Sequence, residues 1–117
     1  MLTLSSAQRV YLAAGSTDLR KSIDGLAALV QECFGLDPFS ACLFVFCNRE
    51  RNKLKILYWD HNGFWLFYRR LERGTFQWPT GSEDVMMVSS RELSWLLDGL
   101  SLSQRQAHAK VTVEAVI

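Results

Sequence analysis

Residues 53–72 read KLKILYWDHNGFWLFYRRLE. Two strand-like runs, KLKILYWD (53–60) and GFWLFYRRLE (63–72), are joined by the DHNG turn, in which Asn62-Gly63 can accept positive φ. A third run, CLFVFCN (42–48), precedes them across the short link RERN. Two tight connections in succession predict an antiparallel meander, because parallel strands need a long crossover. The alternation within these runs is unusual. In 64–71, Phe64, Leu66, Tyr68 and Arg70 share one face, and Trp65, Phe67, Arg69 and Leu71 share the other. Leu43 and Val45 likewise oppose Phe44 and Phe46. A one-sided antiparallel sheet alternates apolar with polar residues, so both faces of this sheet need a cover. One helix can supply one cover; a second helix, the tail or a partner can supply the other.

Working outward, VYLA (10–13) reads as a short strand. GSTDLRKSIDGLAALVQECFG (15–35) is the clearest helix: Leu19, Ile23, Leu26, Val30 and Phe34 recur at steps of four, three, four and four, on one helical face. Ser16 or Thr17 can cap its start, Asp18 suits the positive end of its dipole, and Gly35 is placed to end it. Gly25 inside it costs helix stability, which suggests a close packing contact. LDPFSA then breaks the chain, since Pro38 disfavours helix at Asp37. GTFQWPTGSED (74–84) is loop-like, and VMMV (85–88) is a candidate fourth strand. Ser89 with Glu92 has capping-box spacing before a second helix. Its apolar stripe would be Leu93, Leu96, Leu97 and Leu100, with Gly99 near its end. The expected fold is α+β: an antiparallel three- to four-stranded meander, one long N-terminal helix and a second, shorter C-terminal helix. One domain spans 1–117, compact over about 8–100; residues 101–117 form a loose tail or an added strand.

A hydrophobic content of 49%, a mean hydropathy of +0.02 and 12% aromatic residues argue against disorder. The apolar runs are broken by Lys53, Lys55, Asp60 and Arg69, and none approaches the roughly 20 residues of a membrane span. MLTLSSAQRVYLAAG lacks the basic stretch and apolar run of a secretory signal, so a cytoplasmic chain is expected. Cys33, Cys42 and Cys47 do not form a CxxC pattern and read as reduced thiols. Catalysis finds little support. A metal-dependent nuclease needs metal ions held by carboxylates from separate elements. Here Asp18 reads as a helix-start residue, Asp24 as the polar side of the helix, Asp60 as a turn residue, and Glu72 as a partner for Arg69 or Arg70. His61 and His108 have no zinc-ligand spacing around them. No G-x-S-x-G, P-loop or dinucleotide-binding pattern is present. The reading is therefore of a non-enzyme without cofactor or metal residues.

Charge is the sharper signal. The net charge is only +1, yet residues 49–73 hold seven basic and three acidic side chains. These are Arg49, Arg51, Lys53, Lys55, Arg69, Arg70 and Arg73, the candidate nucleic-acid contacts. In a meander, the 48–53 turn and the end of the third strand meet at one sheet edge, which would gather up to six positive charges on a rim. Arg20 and Lys21 form a second basic pair. Basic side chains neutralise phosphates and flat rings stack on unpaired bases. The competing reading has these charges as solvated strand ends, with Trp59, Trp65 and Trp78 in the core. A protein-binding adaptor is a further alternative, anchored by Trp65, Phe67 and Trp95. No helix-turn-helix pattern is evident.

Several segments also resemble a known family. TDLRKSIDGLAALV, DPFS, LFVF, KILYWDHNGFWLFYRRLERGTFQWP and LLDGL, in that order between Val10 and Leu100, look like the small TnpB-type accessory protein of the bacterial insertion sequence 66 family of transposons. The family pattern Y-W-D-x-x-G-F-x-L-x-Y-K-R-L-E-x-G-x-F-x-W-P is met from Tyr58 to Pro79, with Arg69 where a lysine is usual. The resemblance implies a non-catalytic accessory role in DNA transposition beside a separate, larger transposase. DNA and that transposase are the implied partners, and a second copy of the chain is a further candidate. The expected mechanism is binding of DNA, the transposase or both to help assemble the complex. The alternative is an adaptor or homo-oligomeric module with no nucleic-acid contact. No membrane partner is expected.

Overall fold

The structure, a computed structural model, describes residues 8–81 and 83–99. Its elements run β1 (Val10–Ala13), α1 (Ile23–Glu32), β2 (Leu43–Cys47), β3 (Lys53–Asp60), β4 (Gly63–Arg70), β5 (Val85–Val88) and α2 (Ser90–Leu97). One five-stranded sheet has the order β4-β3-β2-β1-β5. The β2-β3-β4 meander is present, with Val45 opposite Ile56 and Ile56 opposite Phe67. At the β3–β4 turn the positive φ falls on His61 rather than on Asn62 or Gly63.

The fold is α+β, but two expectations are corrected. The sheet is mixed and has five strands, rather than antiparallel with three or four. β1 lies parallel to β2, pairing Val10 with Leu43 and Leu12 with Val45, and antiparallel to β5 on its other side. The connection between β1 and β2 contains α1, which is the long crossover that parallel neighbours require. VYLA carries no local signal for its partner, because that pairing is made across 30 residues of chain separation or more. The first helix is also short, with 10 residues where a span from about 16 to 35 was expected. The segment before it is held out of the helix. The Asp18 carboxylate accepts from the Arg20 backbone N–H at 3.0 Å, and the Thr17 N–H donates to the Cys47 carbonyl at 2.8 Å. A short polar side chain that bonds nearby backbone competes with helix in this way. Leu19 still packs with Ile23 and Phe34 against the core on the α1 side, so the apolar period outlasts the helix itself. Gly35, at φ +64°, closes α1 as its position suggested. At Gly25 the close neighbour is Lys21, whose Cβ would lie 3.2 Å from an added methyl.

Both sheet faces are covered. Phe44, Phe46 and Leu57 lie under Leu26 and Val30 of α1. On the other face, Val45, Cys47, Leu54 and Ile56 lie under Leu93 and Leu96 of α2 and under Phe76 and Trp78 of the loop between β4 and β5. The Trp78 indole N–H donates to the Ala13 carbonyl at 2.9 Å, which fastens that loop to β1. The capping box of α2 is complete: Ser89 Oγ accepts from the Glu92 N–H at 3.1 Å, and Glu92 Oε1 accepts from the Ser89 N–H at 2.9 Å. The expected tail or strand at 101–117, and Leu100 of the α2 stripe, lie outside the described residues. No helix among the described residues is long and apolar enough to cross a membrane.

Phe44 is fully buried on the doubly covered strand, whereas Met87 on β5 is 63% exposed. Phe44→Ala is expected to cost about 3–5 kcal/mol, and Met87→Ala within about 0.5 kcal/mol, in urea denaturation. Burial also pushes the Cys47 thiol up to about 11, while Cys33 is exposed. A maleimide at pH 7 should label Cys33 in the native chain and reach Cys47 only on unfolding, as mapped by peptide mass spectrometry.

Candidate functional site

The parallel strands β1 and β2 end on the same side of the sheet, and the loop leaving β1 folds across the end of β2. There the chain turns into β3 through Asn48–Asn52. Asn48 Oδ1 accepts from the Asn52 and Lys53 backbone N–H groups at 3.1 and 3.0 Å, and its amide donates to Asn52 Oδ1 at 2.8 Å. This side-chain lattice stabilises a tight turn in which Arg51 takes φ +62°. The end of β4 arrives beside it, with the Leu71 N–H donating to the Asn52 carbonyl at 2.8 Å. The start of β3, the end of β4 and the β2–β3 turn thus share one end of the sheet.

The seven basic candidates take different roles there. Arg51 is structural: its guanidinium donates to the Trp78 carbonyl at 2.7 Å, and its own carbonyl accepts from the Phe76 N–H at 2.7 Å. Lys55 is structural too. Its ammonium donates to the Leu19 carbonyl at 2.6 Å and the Lys21 carbonyl at 3.2 Å, holding the pre-helix loop to β3. Arg70 pairs with Glu72 at 3.0 Å, and that hydrogen bond raises the guanidinium pKa. The side chains of Arg49, Lys53, Arg69 and Arg73 make no hydrogen bond or ion pair among the described residues. Register divides them further. Lys53 faces Arg70 and Lys55 faces Tyr68 on the α1 side, whereas Arg69, opposite Leu54, points to the α2 side with Phe67. The cations therefore flank the sheet end on both faces.

Arg20 of the second basic pair is held by Asp18 at 2.8 Å, and the hydrogen bond from Arg20 draws the Asp18 carboxyl down to about 2. Lys21 lines a small recess with Cys33 and Asp84. A larger open groove of about 770 Å³ runs between the β1–α1 loop and the β2–β3 turn. Ser16, Thr17, Asp18 and Arg20 border it from the loop, and Arg49, Glu50, Lys53, Lys55 and Tyr68 from the turn and strands. Tyr68 was not among the candidate residues. Period 2 puts it on the Arg70 face, but its place beside Lys53 and Lys55 depends on the β3–β4 register.

The aromatic candidates also separate. Trp78 is buried core. Trp59 packs in a ring cluster with Phe39 and Phe64, at centroid distances of 5.0 and 4.9 Å. Trp65 is 54% exposed on the edge strand β4, stacked on Phe67 at 6.0 Å, with its indole N–H donating to Asp60 at 3.2 Å. Trp95 is half-buried on α2, a separate element. Among the described residues no group of three or more His, Cys, Asp or Glu could hold a metal ion.

Residues 8–107 match the family described as "IS66 Orf2 like protein". The chain is 40% identical to the uncharacterized protein y4hO of Sinorhizobium fredii (strain NBRC 101917 / NGR234), over 86% of this chain and 87% of that one. It is 33% identical to the uncharacterized protein y4jC of the same organism, over 86% of each. No solved structure matches it.

The two lysines of β3 should respond differently to mutation. Lys55→Met removes a charged donor from two carbonyls and is expected to lower stability by about 2 kcal/mol, whereas Lys53→Met should stay within about 0.5 kcal/mol, both read by denaturant titration. The folded Asp18 pKa lies below its ordinary 3.8, so its contribution is present above that value and is lost as pH falls through about 2. The stability gap between wild type and Asp18→Asn should close over that window in an acid titration followed by circular dichroism.

Proposed function

The chain belongs to the family described as IS66 Orf2 like protein, and from that premise we propose that it is a non-catalytic accessory factor in DNA transposition. It binds DNA, the transposase of the same element, or both, and helps assemble the transposition complex. One observation supports the DNA-binding part: Arg49, Lys53, Arg69 and Arg73 lack an internal partner among the described residues and gather at one end of the sheet. The chain as a whole is nearly neutral, at +1, so this end is a local positive field rather than part of a general one. Its cations flank both faces, which suits contact with a phosphate backbone rather than with a single small anion.

A second reading has a specific observation behind it. The outer edge of β4 is unpaired among the described residues, and it carries the exposed Trp65 stacked on Phe67. An aromatic pair on a free strand edge suits a protein partner, the transposase or a second copy, with no DNA contact.

Salt dependence separates the two. Purified protein is mixed with transposon-end DNA, with random DNA and with the transposase, each at several salt concentrations. If about four phosphates are neutralised, log affinity for DNA falls against log salt with a slope of roughly −4, and each substitution of Arg49, Lys53, Arg69 or Arg73 by Gln flattens it by about one. Binding of the transposase alone, insensitive to salt and lost in Trp65→Ala, would favour the adaptor. No binding in any mixture would refute the accessory role.

A further inference from the structure

We infer that the groove between the β1–α1 loop and the β2–β3 turn is a site for an unpaired DNA strand, with Lys53 and Arg49 on its phosphates and the Tyr68 ring against a base; this rests on the DNA-binding reading above and narrows it. Three observations converge on the groove. The first is shape. A volume of about 770 Å³ lies in the range of clefts that take small molecules, so it admits a short length of strand.

The second is the state of the cations. Four basic and two acidic side chains border the groove. Arg20 is committed to Asp18, and Lys55 to two backbone carbonyls. Lys53 and Arg49 are uncommitted among the described residues, and Lys53 is partly withdrawn from water while unpaired. Glu50 is the one acidic group of the groove with no partner among the described residues, so the phosphates lie on the Lys53 side of it. The Ser16 and Thr17 hydroxyls opposite can bond a sugar or a base edge.

The third is Tyr68. Its ring is 54% exposed and takes no part in the ring contacts that occupy Trp59, Phe64, Trp65 and Phe67. It borders the groove on the same face as Lys53 and Arg70. An aromatic face left in water beside phosphate-binding cations is the pairing that holds single strands: backbone charge is neutralised while a base stacks, without regard to its identity. A duplex keeps its bases stacked on one another and offers Tyr68 no partner.

The test uses the full chain and a fluorescein-labelled oligodeoxythymidylate of about 12 nucleotides, within the usual range for single-strand sites, against a duplex of equal length. Anisotropy titrations should show tighter binding of the single strand. Tyr68→Ala should weaken it about tenfold or more and leave duplex binding unchanged, while Tyr68→Phe, which keeps the ring, stays within about twofold of wild type. Lys53→Gln should weaken the single strand and flatten its salt slope by about one. If alanine lowers the thermal midpoint, Tyr68→Leu keeps an apolar strand residue without a ring and should lose the single strand equally. A wild type that binds DNA while Tyr68→Ala and Tyr68→Leu hold the single strand as well as it does would overturn this site and leave the DNA-binding reading standing. A wild type that binds neither form would overturn both.

Discussion

Every side chain of β2, from Leu43 to Cys47, is buried, so this strand must be covered on two faces at once. Much of the fold follows from that requirement. A strand apolar on both sides loses its driving force for burial if either face meets water. The chain meets it with two different devices. On one face the crossover from β1 lays α1 over Phe44 and Phe46. On the other, α2 covers only part of Val45 and Cys47, and the loop carrying Phe76 and Trp78 supplies the rest. That loop has no regular structure of its own. It is held by the Trp78 indole on the Ala13 carbonyl and by Arg51 on the Trp78 carbonyl.

The candidate site is a by-product of the same construction. Because β1 and β2 are parallel, both end on one side of the sheet, and the β1–α1 loop and the β2–β3 turn must pass near each other there. The Thr17 N–H on the Cys47 carbonyl joins them, and Lys55 ties the loop from beneath. The space between is the groove. Basic residues near it sort by what the fold asks of them. Arg51 and Lys55 bond to backbone carbonyls, while the Arg49 and Lys53 side chains have no such duty among the described residues. A cluster of like charge in sequence thus becomes two internal braces and a smaller set of available cations.

Much of this was legible beforehand. The meander followed from two short links, the need for two covers from the doubly apolar strands, the cap of α2 from Ser89 and Glu92, and the family from the run through Trp78-Pro79. What could not be read were facts of pairing at a distance. VYLA does not announce that it will lie parallel to β2, and TDLRKS looks like helix because Leu19 keeps the helical period. Only the Asp18–Arg20 turn and the bond from Thr17 to Cys47 show why it is not. The basic residues were equally opaque, since an arginine that binds a carbonyl reads the same as one facing water.

Local periodicity and turn chemistry, which depend on neighbours a few residues apart, therefore determined from the sequence alone that this is an α+β chain built on three antiparallel strands with apolar residues on both faces. Tertiary structure decided where β1 pairs, how short α1 is, which cations remain available, and that Tyr68 stands beside Lys53 over a groove. Each of these rests on contacts between residues far apart in the chain, whose energies exist only once the sheet has closed and its register is set.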